Sequence, residues 1–147
     1  MSDQPTTEAP ARFAPPESPA GAPFWAASRE RRLTLPWCTV CGQPHWYPRG
    51  FCPHCLSDAV EWRASAGTGT VHAVSVMPKP AHPGLAPRGA YAVVLVDLDD
   101  GVRMMLQASS ASGVDDVWSI AVGDAVTVGW EPLPDGRHLP TAEVPGR

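Results

Sequence analysis

The stretch "LPWCTVCGQPHWYPRGFCPHCLSD", residues 35–58, holds all four cysteines of the chain as two C-x2-C pairs. Cys38, Cys41, Cys52 and Cys55 leave ten residues between the pairs. Each pair puts two thiolates on one tight turn, and the ten-residue excursion brings the second turn back opposite the first. The result is a tetrahedral S4 set, the donor set that suits a structural Zn²⁺, one per chain. The first pair, in Trp37-Cys38-Thr39-Val40-Cys41, also has the spacing of a dithiol redox site. Such a site needs a helix beginning at its first cysteine to lower the thiol pKa, and Gly42, Pro44 and Pro48 oppose one. A closed S4 shell leaves no open position, so the metal is expected to be structural. Gly42 lets the first turn curl back on its sulfurs, whereas Leu56 stands at the matching place in the second. His45 and His54 read as turn residues, not ligands.

Working outward, the charge is unevenly spread. Residues 1–36 carry four basic and four acidic groups, residues 37–63 two of each, and residues 64–147 five basic and nine acidic, so the net −4 lies in the C-terminal part. A surface that neutralises phosphates along a nucleic acid requires the opposite balance. The start "MSDQPTTEAP" has neither a basic cluster nor an apolar run, and no segment reaches membrane-spanning length. A cytoplasmic, reducing setting is therefore expected, which disfavours disulfides among the four cysteines.

Residues 1–21, rich in Pro, Ala, Ser, Thr and Glu, show no apolar period and read as a disordered tail. "APFWAASRERRL", 22–33, reads as a short helix inside an N-terminal segment 22–36, anchored by Phe24, Trp25 and Leu33. The ribbon takes 37–63. After Asp58 the pattern turns to short β runs, "VEWRAS" (60–65) being the first, then 69–77, 90–98, 102–109, 125–133 and 138–144, and 64–147 is the expected extent of the last domain. In "DLDDGV", 97–102, Asp100-Gly101 is expected to supply positive-φ residues for a hairpin turn. Short strands at this spacing fit a small closed barrel, of which the OB-fold is the commonest. The fold class is thus mainly β, with a short N-terminal helix, a zinc ribbon and a C-terminal OB-fold. The segment "PKPAHPGLAPRGA", 78–90, is too long for a simple hairpin, a length that points to function.

No catalytic constellation emerges. With the thiols committed to metal, His72, His82 and His138 stand isolated, and no G-x-S-x-G surrounds a serine. Asp97, Asp99 and Asp100 read as turn residues rather than an acid/base set.

"PFW…RRLTL", "CTVCGQ…YPRGFCPHCLSD…EW", "GTGTVHAVSV", "AYAVVLVDLDDGVRMM" and "VGDAVTVGWEPL", in that order, resemble the small zinc-ribbon/OB-fold proteins associated with acyl-CoA enzymes, over roughly residues 23–135. The resemblance implies a rubredoxin-like ribbon. It also implies a place as accessory subunit beside a thiolase-like large subunit: a thiolase, an acyltransferase or a steroid side-chain aldolase. In that hetero-oligomer the small chain would support the partner and help bind acyl-CoA near the shared interface. Arg29, Arg32, Lys79 and Arg88 are the cations best suited to CoA phosphates. Trp25, Trp37, Trp46 and Tyr47 put aromatic surface near the ribbon, as interfaces favour. The competing reading, a zinc-ribbon/OB-fold nucleic-acid-binding module, needs a basic groove with exposed aromatics, which this acidic barrel does not offer.

Overall fold

The structure, a computed structural model, describes residues 12–145. Its helix α1, Ala22–Ser28, is followed by strands β1, Thr34–Cys38, and β2, Val60–Ala64. The five later strands are β3, Thr68–Met77, β4, Tyr91–Leu98, β5, Arg103–Ala108, β6, Ala125–Pro132, and β7, His138–Glu143. β1 and β2 pair antiparallel as the base of the ribbon, and β3 to β7 close into a barrel in the order β3-β4-β5-β7-β6. The mainly β class with one short N-terminal helix and a five-stranded OB-like barrel agrees with the sequence reading.

Alternation builds the barrel. In β4, Ala92, Val94, Val96 and Leu98 point inward, and in β5 Met104, Leu106 and Ala108 do the same. Val126 of β6 joins them, with Val128 and Trp130 packed partly buried against this core. β3 serves both β4 and β6: Gly69 pairs with Leu98 on one side and Val126 on the other. A Cβ at Gly69 would collide with the Asp97 carbonyl and stand 2.9 Å from Leu98 Cα. Glycine there lets two backbones approach as the barrel closes.

The hairpin joining β4 to β5 differs in detail from expectation. Only Gly101 takes positive φ, at 101°, with its N–H donating to Leu98 O at 2.9 Å. A three-residue loop needs just one left-handed residue, so Asp100 is free to hold Ser65 Oγ while Asp99 accepts from Thr68 Oγ1 at 2.6 Å. These aspartates tie the turn to the ribbon–barrel linker.

The helix is shorter than the expected 22–33. Arg31 takes φ 56°, Arg31 N–H donates to Ser28 O and Arg32 N–H to Ala27 O. This is the turn glycine usually makes at a helix end, carried here by arginine, so no glycine marked it in the sequence. Beyond it, residues 34–36 of the expected helical segment are strand. Phe24, Ala27 and Ser28 face inward, and His138 Nδ1 lies 2.9 Å from Ser28 O, which docks α1 on β7.

Of the expected tail 1–21, residues 1–11 lie outside the described residues. Residues 12–21 carry contacts that a solvated tail would lack. Arg12 pairs with Glu131 of β6 at 3.4 Å, and Phe13 meets His82 edge-on at 5.1 Å. Arg137, between β6 and β7, donates to Pro15 O at 2.6 Å, pairs with Glu17 at 3.4 Å and lies over the Trp25 ring. We call residues 12–18 the strap. It also meets the 78–90 loop, whose 3-10 turn Pro83–Arg88 buries Leu85 and sends Arg88 to Glu131 and Gln107.

Candidate metal centre and aromatic groove

The cysteine site forms at the open end of the β1–β2 ribbon. Cys38 closes β1, where pairing with Val60 fixes it. The two turns are built alike: Gly42 N–H donates to Cys38 O and Leu56 N–H to Cys52 O, each at 2.9 Å. Gly42 has φ 72° and Leu56 φ 64°. The second turn therefore reproduces the first in backbone, with leucine accepting a conformation natural to glycine.

All four sulfurs lie within 4.8 Å of one another, with Cys38–Cys55 and Cys41–Cys52 each at 3.6 Å. Sulfurs bound tetrahedrally to zinc at about 2.3 Å stand about 3.8 Å apart, so the set fits that ion. The separation is far beyond a disulfide bond of about 2.05 Å. Backbone N–H groups reinforce the sulfurs: Cys41 N lies 3.5 Å from Cys38 Sγ, and His54 N 3.3 Å from Cys52 Sγ.

The thiols behave as a group that cannot charge together. The Cys41 N–H holds the Cys38 thiol down at about 6, helped by Val40 N–H and the Cys55 and Cys41 thiols and opposed by burial. At Cys41 the N–H of Gln43 pulls downward, but burial and the sulfurs of Cys52, Cys38 and Cys55 prevail and push it up to about 12. Four soft donors that repel as anions are a site for a divalent cation. His45 is 3% exposed with neither ring nitrogen bonded, and His54 reaches Pro44 O at 3.3 Å. Neither belongs to the sulfur cluster.

Three of the four aromatics expected at an interface converge. Trp25, Trp46 and Tyr47 line one groove of about 310 Å³, together with Phe24. Met104 and Met105 of β5, Leu139 and Pro140 of β7, and Pro15 and Pro16 of the strap complete it. Tyr47 is 55% exposed and Met105 57% exposed at its rim. Trp37 stands apart, under the Arg63 guanidinium at 4.9 Å. Sequence reasoning missed the strap, whose role rests on contacts with Glu131 and Arg137 far along the chain. The methionine pair was a usable signal, since alternation in β5 must leave one of two adjacent methionines facing out.

The four cations proposed for phosphates do not share a pocket in this way. Arg29 donates to Asp135 O at 3.0 Å, Arg32 pairs with Glu30 at 2.8 Å, and Lys79 is exposed in the 78–90 loop. Arg88 is the least available, with a side chain 9% exposed and both terminal nitrogens engaged. The carboxylates weighed for acid/base work are structural. Arg103 holds Asp97 below the usual carboxylate range, through the hydrogen bond first and its charge second.

A ribbon of four clustered thiols joined to an OB-like barrel defines the class: a zinc-ribbon/OB-fold protein. Residues 25–61 match the ChsH2 rubredoxin-like zinc ribbon domain and residues 62–131 the ChsH2 C-terminal OB-fold domain. The chain belongs to this ChsH2-type zinc-ribbon/OB-fold family. Among solved structures it is similar to a chain of the Ltp2-ChsH2(DUF35) aldolase, with TM-score 0.77 and 27% identity over 89% of this chain and 98% of that one. A DUF35-family protein of unknown function from Sulfolobus solfataricus shares the fold, with TM-score 0.58 and 15% identity, covering 86% of this chain and 84% of that one. A probable enoyl-CoA hydratase alpha subunit from Thermomonospora curvata is 36% identical over 83 residues. That segment is 56% of this chain but only 25% of the relative's length. Among the described residues no helix is long and apolar enough to cross a membrane.

Proposed function

We propose that this chain is the non-catalytic small subunit of a thiolase-superfamily enzyme that makes or breaks a carbon–carbon bond beside a CoA thioester. The observation that supports the reading is the likeness to a chain of the Ltp2-ChsH2(DUF35) aldolase, 98% of which this chain covers. The hydratase-subunit relative adds a second link to CoA thioesters and to multi-subunit assembly. The chemistry of this chain points the same way. Its thiols are gathered in one sulfur cluster, and the aspartates near the β4–β5 turn are engaged by Arg103, Thr68 and Ser65.

On this reading the four cysteines hold one structural zinc per chain, which would lock the two ribbon turns where β1 and β2 alone are too short to fix them. The large subunit meets the ribbon face at Trp37 and the outer edges of Trp25, Trp46 and Tyr47, leaving the groove between those three open. Arg29, Arg32 and Lys79 are the exposed cations for CoA phosphates, Arg29 and Arg32 exchanging Asp135 O and Glu30 for the ligand, while Arg88 stays braced on Glu131 and Gln107. The assembly works in the cytoplasm.

Affinity capture tests the reading. Tagged chain, expressed in its native host, should retain a thiolase-like protein through washing, and the purified chain alone should turn over no acyl-CoA. Capture of nucleic acid in its place, with tight single-strand binding at physiological salt, would favour the nucleic-acid module instead.

A further inference from the structure

We propose that the groove between strap, ribbon and barrel is a binding site for a neutral, flat ring system carried by a small molecule. Its walls come from four separate parts of the chain: Pro15 and Pro16 of the strap, Trp25 of α1, Trp46 and Tyr47 of the ribbon, and Met104 and Met105 of the barrel. None of its lining residues is charged. Of its two hydroxyl side chains, Ser18 Oγ accepts from Gly21 N–H at 3.2 Å, and Tyr47 stands at the exposed rim. An apolar, aromatic-walled space with no charged group in its lining rewards ring surface and penalises an ion, because a charge there would lose water and meet no opposite charge. The volume, about 310 Å³, stands at the lower end of small-molecule sites, and tryptophan faces and methionine sulfurs suit a planar ring.

The strap shows that the groove is built and is not merely a gap between elements. Arg12, Arg88 and Glu131 form one part-buried ion cluster, and Arg137 is 4% exposed where it grips Pro15 O. Taking guanidinium groups out of water is costly unless they do something in return. Here they hold two prolines against the groove as its outer wall. The rim meanwhile leaves Tyr47 and Met105 in solvent, an unfavourable exposure for the free chain that a bound ring would relieve.

The isolated full-length, zinc-loaded chain is sufficient to test the groove, whatever its partner. 2-Naphthol serves as the neutral probe and 2-naphthoate as its anionic counterpart. Titration followed by NMR should move the indole N–H signals of Trp25 and Trp46 saturably, leaving Trp118 in place, with a dissociation constant on the order of 10⁻⁴ M for so small a ligand. Naphthoate should bind at least tenfold more weakly. Met105→Lys, at an exposed rim position, should weaken 2-naphthol at least tenfold with the circular dichroism spectrum unchanged, and Arg12→Ala should weaken it severalfold by loosening the strap. Shifts that do not saturate, equal affinity for the two probes, or indifference to Met105→Lys would overturn the proposal. So would a partner polypeptide that covers Trp25 and Trp46 while 2-naphthol neither binds nor competes, an outcome that makes the groove a protein-docking surface. Failure of partner capture with intact naphthol binding would sink the subunit reading and leave this one standing.

Discussion

Leu56 offers a test in which two small substitutions should part company. Its φ of 64° is the left-handed region, where a side chain crowds the following carbonyl at a cost of about 1–2 kcal/mol. Leu56 is 74% exposed, so its side chain recovers little by burial. Leu56→Gly removes the crowding but returns about 0.5–1 kcal/mol of chain entropy to the unfolded state. The net expectation is a gain of about 0.5–1 kcal/mol, or a rise in Tm of a few degrees for a chain of this size. Leu56→Ala keeps the Cβ, and with it the strain, and should leave stability near the starting value. Thermal unfolding at one fixed free-zinc concentration separates the two, since metal linkage would otherwise shift both. If glycine and alanine variants melt together, strain at this turn is not what distinguishes it from the Gly42 turn.

Three further outcomes follow from the same structure. Metal analysis should return close to one zinc per chain, and a strong chelator should unfold the ribbon with a change in near-ultraviolet dichroism, while a ribbon that stays ordered without metal would contradict the S4 assignment. A chain beginning at Arg12 should melt like the full chain, whereas one beginning at Ala22 should lose about 1–3 kcal/mol in denaturant unfolding, because Arg137 and Arg88–Glu131 lose partners from the strap. Burial, with the charges of Arg49 and His54, lowers the His45 pKa below 6.5, so the unfolded chain takes up a proton first as pH falls through that value. His45 thus withdraws stability below pH about 6.5 and none above it, and denaturant midpoints of His45→Leu should fall less between pH 7.5 and 5.5 than those of the parent chain.

What the sequence disclosed was local. The sulfur cluster follows from spacing along twenty residues or so, and the six β runs follow from alternation between turn residues, so both could be read without a third dimension. The end of α1 could not, because arginine holds the left-handed position and the usual glycine marker is missing. The second cysteine turn hid its likeness to the first for the same reason. The strap was beyond reach: its segment is proline-rich and aperiodic, and its anchors lie 119 and 122 residues away. The groove depends on that strap, so its aromatics were legible as surface residues but not as the walls of one site. The phosphate-directed arginines show the converse limit, since sequence displays a cation but not the carboxylate or carbonyl that already holds it.

The most direct test of the subunit reading is the activity of the captured large subunit with and without this chain. Purified separately and assayed on its acyl-CoA substrate, the large subunit should be poorly soluble or nearly inactive, and equimolar addition of this chain should restore turnover in a stable hetero-oligomer. Full activity of the large subunit alone, unchanged by addition of this chain, would contradict the account.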